Sequence, residues 1–191
     1  MKKDWELLNR ESLVKTPVFN LRRDRKLRTA SNLTWDFYIL ESGDWVNVIP
    51  TTPAGDVILV EITRHGINER SLEIPGGLID PEDPSPTAAA ARELLEETGF
   101  EAEIVLPLGV LHPNPAIQGN RCYTFLAQNA RKVADPTHDP AEDIAIVTAP
   151  LGSIPDLIRA GRITHALVIS AFLWLELGEP GALGLARPER S

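Results

Sequence analysis

Apolar residues are scattered through the first 30 positions, and the pattern sharpens only from Trp35 onward. Trp35-Asp-Phe-Tyr-Ile-Leu and Trp45-Val-Asn-Val-Ile are rich in aromatic and β-branched residues and predict two strands. Ser42-Gly43-Asp44 between them predicts a hairpin turn. Asp56-Val-Ile-Leu-Val-Glu-Ile-Thr reads as a third strand after the turn Pro53-Ala-Gly55. Ser71-Leu-Glu-Ile reads as a short fourth, ending at Pro75-Gly76-Gly77. Further strands are predicted at Glu103–Val110, Arg121–Ala127 and Asp143–Val147. Helices are predicted at Thr87–Thr98, Ser153–Ala160 and Thr164–Leu177. The first of these carries the clearest signals: Ser85 as N-cap, Pro86 as its first residue and Gly99 as its stop. Strands, one central helix and closing helices imply a mixed α/β or α+β sandwich. The first 30 residues are weaker in pattern. Pro17-Val-Phe-Asn-Leu predicts a short strand, and Arg22–Arg28 reads as a solvated arm or turn, or else as a contact for a phosphate ligand or a partner subunit.

Composition narrows the class. The chain has 191 residues, 43% hydrophobic and 24% charged, which suits a globular protein with its own core. One cysteine, Cys122, excludes an intrachain disulfide and a cysteine-rich zinc site, and points to a reducing compartment. The net charge of −8 argues against a general nucleic-acid binder. It is unevenly spread: residues 1–30 hold nine Lys/Arg against four Asp/Glu, and the remainder ten against 23. Behind Met1-Lys-Lys-Asp-Trp-Glu there is no apolar run of a signal peptide, and Ala166–Leu175 is too short to span a bilayer. The expectation is a cytoplasmic protein with no membrane partner.

Chemistry enters with the central helix. At about 100° per residue, with Glu93 at 0°, Glu97 falls near 40° and Glu96 near 300°, so three carboxylates share one arc. Arg92 lies at the edge of that arc, near 260°. Leu94, Ala91, Leu95 and Ala88 lie opposite and are the expected core face. Like charges three and four apart repel. Partly buried, such a cluster calls for cations, and hard carboxylate oxygens suit Mg²⁺ or Mn²⁺. Gly76-Gly77 just upstream can bring main-chain groups close to a ligand.

The stretch Gly77…Arg92-Glu93-Leu94-Leu95-Glu96-Glu97-Thr98-Gly99-Phe100 resembles the Nudix box, G-x5-E-x7-R-E-U-x-E-E-x-G-U, where U is a bulky aliphatic residue. The interval from Gly77 to Arg92 is one residue longer than the pattern. Six residues on from Gly77 stands Asp83, with Glu82 beside it, where the pattern has its first glutamate. Phe100 replaces the last aliphatic. The resemblance extends over about residues 45–177. Arg64-His-Gly, Leu72-Glu-Ile-Pro-Gly-Gly, Pro113 or Pro115 after the box, and Glu142-Asp-Ile are similar to the ADP-ribose pyrophosphatase and nucleoside-diphosphate-sugar branch.

That resemblance implies a Nudix-type α/β/α sandwich with a mixed β-sheet and an N-terminal antiparallel β extension. It implies an extension at 1–44 serving as a dimerisation or domain-swap segment, a hydrolase domain at 45–177 and a C-terminal tail at 178–191. It implies a Mg²⁺- or Mn²⁺-dependent enzyme that cleaves the diphosphate of ADP-ribose or a related nucleotide sugar, working as a homodimer. Glu93, Glu96 and Glu97, with the main-chain carbonyl of Gly76, are the implied metal ligands, and Arg92 holds a box carboxylate in place. Glu142, with Asp143 as the alternative, is the implied general base. Arg64 and Arg121 are candidate phosphate contacts, and Glu73 a further carboxylate near the metals. Two alternatives remain open at this stage: a hydrolase of nucleoside triphosphates or dinucleoside polyphosphates, and a non-catalytic nucleotide sensor.

Overall fold

The computed structural model describes residues 4–138 and 143–178. These divide into two compact units, one of residues up to Asp44 together with His112–Arg121, the other of Trp45–Leu111 together with the residues from Cys122 onward. Glu142 and the stretch 179–191 lie outside the described residues.

The first unit is an antiparallel sheet of β1 (Trp5–Lys15), β2 (Asn20–Arg28) and β3 (Leu33–Glu41), in the order β1-β2-β3. Thr16-Pro17-Val18-Phe19 forms the first turn, with Thr16 Oγ1 accepting from the Phe19 N–H at 2.9 Å. The strand expected at Pro17–Leu21 therefore starts later, and Arg22–Arg28 is strand rather than a solvated arm or turn. The cause is Asp24, buried at 1% exposure and gripped by two arginines. Arg10 donates to it at 2.8 and 3.1 Å and Arg22 at 3.0 Å. Those bonds hold the Asp24 carboxyl below its usual range, the Arg10 bond outweighing the opposing effect of burial. The basic residues of this segment are thus partly consumed in cross-strand ion pairs.

The second unit is built around β4 (Trp45–Pro50), β5 (Asp56–Arg64), β6 (Glu69–Glu73), β7 (Gly76–Leu78), β8 (Phe100–Glu101), β9 (Ile104–Leu111), β10 (Cys122–Gln128), β11 (Arg131–Lys132) and β12 (Ile144–Pro150). Its helices are α1 (Pro86–Thr98), α2 (Ile154–Arg159) and α3 (Ala166–Gly178). The central sheet runs β7-β4-β10-β9, and a second sheet runs β12-β5-β6. β4 and β10 are parallel, while β7 and β9 are antiparallel to them. The sheet is therefore mixed, as expected. The hairpin expected across Ser42–Asp44 does not form: β3 pairs with β2, and β4 with β7 and β10.

Alternation along the strands gives the sheet two apolar faces. Val46, Val48, Phe125 and Ala127 pack with Ala89, Ala90 and Leu94 of α1. Ile49 and Leu126 pack on the other side with Val168, Phe172 and Leu175 of α3, together with residues of β5 and β6. Helix, sheet and helix-plus-sheet layers result.

The signals for α1 act as read. Ser85 accepts from the Ala88 N–H at 3.1 Å, Pro86 opens the helix, and Gly99 ends it at φ 73° with its N–H on the Leu95 carbonyl at 2.7 Å. The helix faces differently from the expectation. Its buried residues are Ala89, Ala90, Leu94, Glu97 and Thr98, whereas Ala91 is exposed. Two alanines and one leucine let the helix lie close on β4 and β7. The carboxylates consequently sit at the margin of the buried stripe, not on its far side.

Candidate active site

The acidic turns of α1 face β7, and the two glycines there are spatially required. Gly76 N–H donates to Glu97 Oε2 at 3.1 Å. A Cβ on Gly77 would fall 2.5 Å from Glu93 Oε1. Glu97 is 7% exposed and the Glu93 side chain 12%, so two carboxylates one turn apart are held largely out of water against strand backbone. Buried carboxylates need partners.

Arg92 supplies much of the compensation. Its Nη1 lies 3.0 Å from Glu93 Oε1 and donates to Glu96 Oε2 at 2.7 Å. Its Nε and Nη2 donate to the two Asp83 oxygens at 3.1 and 2.9 Å, and Nη2 also to the Leu78 carbonyl at 3.0 Å. This fork lowers the Asp83 pKa, with help from the Asp80 backbone N–H. The Arg92 guanidinium is in turn raised, first by the Asp83 bond. Of the two acids left open by the longer box, Asp83 is therefore the one that meets Arg92.

Chain segments remote in sequence close the same end of the helix. His138 Nε2 is 2.9 Å from the Glu97 carbonyl, and the Thr137 N–H donates to the Glu96 carbonyl at 2.8 Å. No local pattern could have disclosed either contact, since about 40 residues separate the partners. Leu78, Asp80, Arg92, Glu93, Glu96, Glu97 and Thr137 line one cavity here.

Arg64 stands at the end of β5 and is engaged by Glu73, its Nε and Nη2 donating to both carboxylate oxygens at 2.9 and 2.7 Å. Burial pushes the Glu73 carboxyl up, but the Arg64 bond and charge outweigh it and the net shift is downward. A folded pKa below the unfolded one stabilises the fold above the unfolded value, about 4.3, and that contribution is lost as pH falls through the folded value. Replacing Arg64 by Met leaves Glu73 buried beside no guanidinium. The acid-unfolding midpoint of R64M, followed by circular dichroism, is expected to lie at higher pH than that of the parent chain. An unchanged midpoint would show that the pair contributes nothing.

The other expected residues are placed as follows. Arg121 belongs to the first unit, where its backbone N–H donates to Asp44 Oδ1 at 2.7 Å. Asp143, the alternative base, is taken by Arg70, which donates to it at 2.7 Å. Among the described residues, no three Asp, Glu, His or Cys side chains converge as a ready-made metal cage. Also among them, no helix is long and apolar enough to cross a membrane.

A NUDIX-domain family model matches residues 43–167. The chain belongs to the NUDIX family. It is 27% identical over 171 residues to an ADP-ribose pyrophosphatase of Mycobacterium tuberculosis, covering 89% of this chain and 82% of that one. It is 35% identical over 107 residues to a CMP-5'-(N-acetyl-N-hydroxy-3-aminopropyl)phosphonate hydrolase of Streptomyces rubellomurinus, covering 56% of this chain and 51% of that one. A crystal structure of an ADP compounds hydrolase superposes with a TM-score of 0.82 at 23% identity, over 94% of this chain and 96% of that one, and so shares the fold.

Proposed function

We propose that this NUDIX protein hydrolyses the diphosphate bond of ADP-ribose or a related nucleoside-diphosphate sugar, giving a nucleoside monophosphate and a sugar phosphate. The observation that carries the reading is the pair of carboxylates, Glu93 and Glu97, pressed against Gly77 and Gly76, with Glu93 braced by Arg92. The pyrophosphatase relative supports the substrate class.

The donor set fits a hard divalent cation, Mg²⁺ or Mn²⁺. Carboxylate oxygens on one helix face are ligands of that class, and two of them, those of Glu93 and Glu97, are held largely out of water against strand backbone. Glu93, Glu96, Glu97 and the Gly76 carbonyl would hold it. Bound there, the ion neutralises phosphate charge and lowers the pKa of water. Arg92, held on Asp83, fixes where Glu93 and Glu96 point. Glu142 is the proposed base: it accepts the proton of the water that attacks phosphorus, while the bond to the bridging oxygen breaks and each product keeps one phosphate. Glu142→Gln is expected to bind substrate as the parent chain does and to lose most of its kcat. A full kcat in E142Q transfers the role to another group.

The reading is tested by product analysis with Mg²⁺ over a panel of ADP-ribose, GDP-mannose, UDP-glucose, NADH and ATP. AMP and ribose 5-phosphate from ADP-ribose are expected. Monophosphate plus pyrophosphate from ATP alone would favour a triphosphate hydrolase, and binding without turnover a nucleotide sensor. The chain is further proposed to act in the cytoplasm as a homodimer formed through residues 1–44. Exposed apolar side chains on that sheet support it, among them Leu13, Val14, Leu33 and Trp35. Sedimentation of the full chain tests the dimer, and a single monomeric species would refute it.

A further inference from the structure

The last turn of α1 carries Glu96 and Glu97, and it ends against residues 133–138. The final carbonyls of a helix have no partner inside it and must find one outside. Here the partners come from one segment. The Thr137 N–H donates to the Glu96 carbonyl at 2.8 Å, and His138 Nε2 donates to the Glu97 carbonyl at 2.9 Å. The Gly99 carbonyl takes the Val133 and Ala134 N–H groups at 2.9 and 3.1 Å. A Cβ on Gly99 would run into the Ala134 carbonyl, so this close approach needs a residue without a side chain.

The segment has little core of its own. Val133, Ala134, Asp135 and Thr137 are exposed, whereas Pro136 and His138 are half-buried. It leaves β11, which pairs with β8 directly after the helix. Apolar burial therefore does little to hold it against α1, and the hydrogen bonds to the helix end do more. The bond from His138 differs in kind from the others. It comes from a side chain, so a substitution removes it and leaves the backbone bonds in place. A carbonyl only accepts, so Nε2 carries the proton.

Glu97 is thereby held from two directions. Its carboxylate accepts from the Gly76 N–H of β7 at 3.1 Å, and its carbonyl accepts from His138. The aim of the side chain depends on where its backbone is fixed. A last turn that loosens swings the carboxylate off the strand. Thr137, the neighbour of His138, lines the acidic cavity together with Glu93, Glu96 and Glu97. The segment that closes the helix end thus also borders the acidic face.

We propose that His138 is a positioning residue for the cation site: by capping the Glu97 carbonyl it fixes the last turn of α1, and with it the aim of the Glu96 and Glu97 carboxylates. It acts through the helix end and touches neither cation nor substrate. The proposal rests on the reading of the acidic face as a divalent-cation site given above.

The test is calorimetric titration of the chelator-treated full chain with Mn²⁺ and Mg²⁺, beside His138→Ala, His138→Asn and His138→Gln. A glutamine amide can set a donor where Nε2 stands, and the shorter asparagine cannot reach. H138A and H138N are expected to bind both cations about tenfold more weakly or worse, as for the loss of other groups that orient metal ligands. H138Q is expected to stay within about threefold of the parent chain, because the donor is restored. In turnover, H138A is expected to need more Mg²⁺ for half-maximal rate and to approach the parental kcat at saturating Mg²⁺. A bond that serves stability alone would lower the melting temperature of H138A and leave its cation affinity parental, and that result overturns the proposal. Equal loss in H138Q and H138N overturns it as well, and this comparison decides the matter should H138A not fold. A parent chain that binds neither cation would remove the cation site itself and the proposal with it, a result distinct from parental affinity in H138A.

Discussion

Glu97→Gln is expected to lower metal-dependent turnover of the nucleotide-sugar substrate by more than the roughly 100-fold that loss of a ligand's supporting partner costs in metal sites. The substitution removes charge and little else. Glutamine has the same reach, and its amide oxygen still accepts from the Gly76 N–H that now meets Glu97 at 3.1 Å. Glu97 is also the most enclosed acid of α1, which makes a neutral replacement easier, not harder, to bury. Stability to denaturant is therefore expected to hold or rise while kcat falls. Calorimetry should show weakened Mg²⁺ binding in the same variant. Glu96→Gln is the informative contrast: that side chain is 45% exposed and shared with Arg92, so its loss frees the guanidinium to pair elsewhere. The ligand assignment is sunk by an E97Q protein that keeps parental turnover and Mg²⁺ affinity.

The sequence discloses the parts of this site that are local. Ser85, Pro86 and Gly99 delimit α1 because caps act through neighbouring backbone atoms. Glu93, Glu96, Glu97 and Arg92 share a face because helical geometry places them there. What it hides are pairings across distance. Nothing local announces that β4 lies parallel to β10, some 75 positions away, so Ser42-Gly43-Asp44 carries the signature of a hairpin that does not form. The three-residue β7 is too short to carry a period, though it forms the wall behind both carboxylates. The facing of α1 is poorly marked in the sequence because alanine, small enough to bury or expose, carries little directional information. Arg22–Arg28 carries the pattern of a solvated segment because Arg10, which pairs with its buried Asp24, stands on another strand.

Gly76→Ala and Gly77→Ala are expected to fail in different ways, although the residues are neighbours. A Cβ on Gly76 would run into the Val46 carbonyl and come within 2.9 Å of the Asn47 Cα, both of them main-chain atoms of β4. Backbone in a central strand cannot yield locally, so the pairing of β7 with β4 must open. The gain from a less flexible unfolded chain, about 0.4–1 kcal/mol, is small beside that. A net loss of about 3 kcal/mol is expected, at the upper end of what overpacking usually costs. A Cβ on Gly77 first meets the Glu93 carboxylate, whose atoms would lie 2.5 to 2.9 Å away. A side-chain end can swing aside, so G77A is expected to unfold within about 1 kcal/mol of the parent chain. Swinging aside, however, takes Glu93 off the face it shares with Glu97 and strains its contact with Arg92. Turnover of G77A is therefore expected to fall about 100-fold, since displacement of a catalytic group by about 1 Å has that effect. Urea denaturation and steady-state kinetics on both variants separate the two outcomes. The account of β7 as a wall built to the size of a hydrogen atom is wrong if G77A turns over normally, or if G76A unfolds with the parent midpoint.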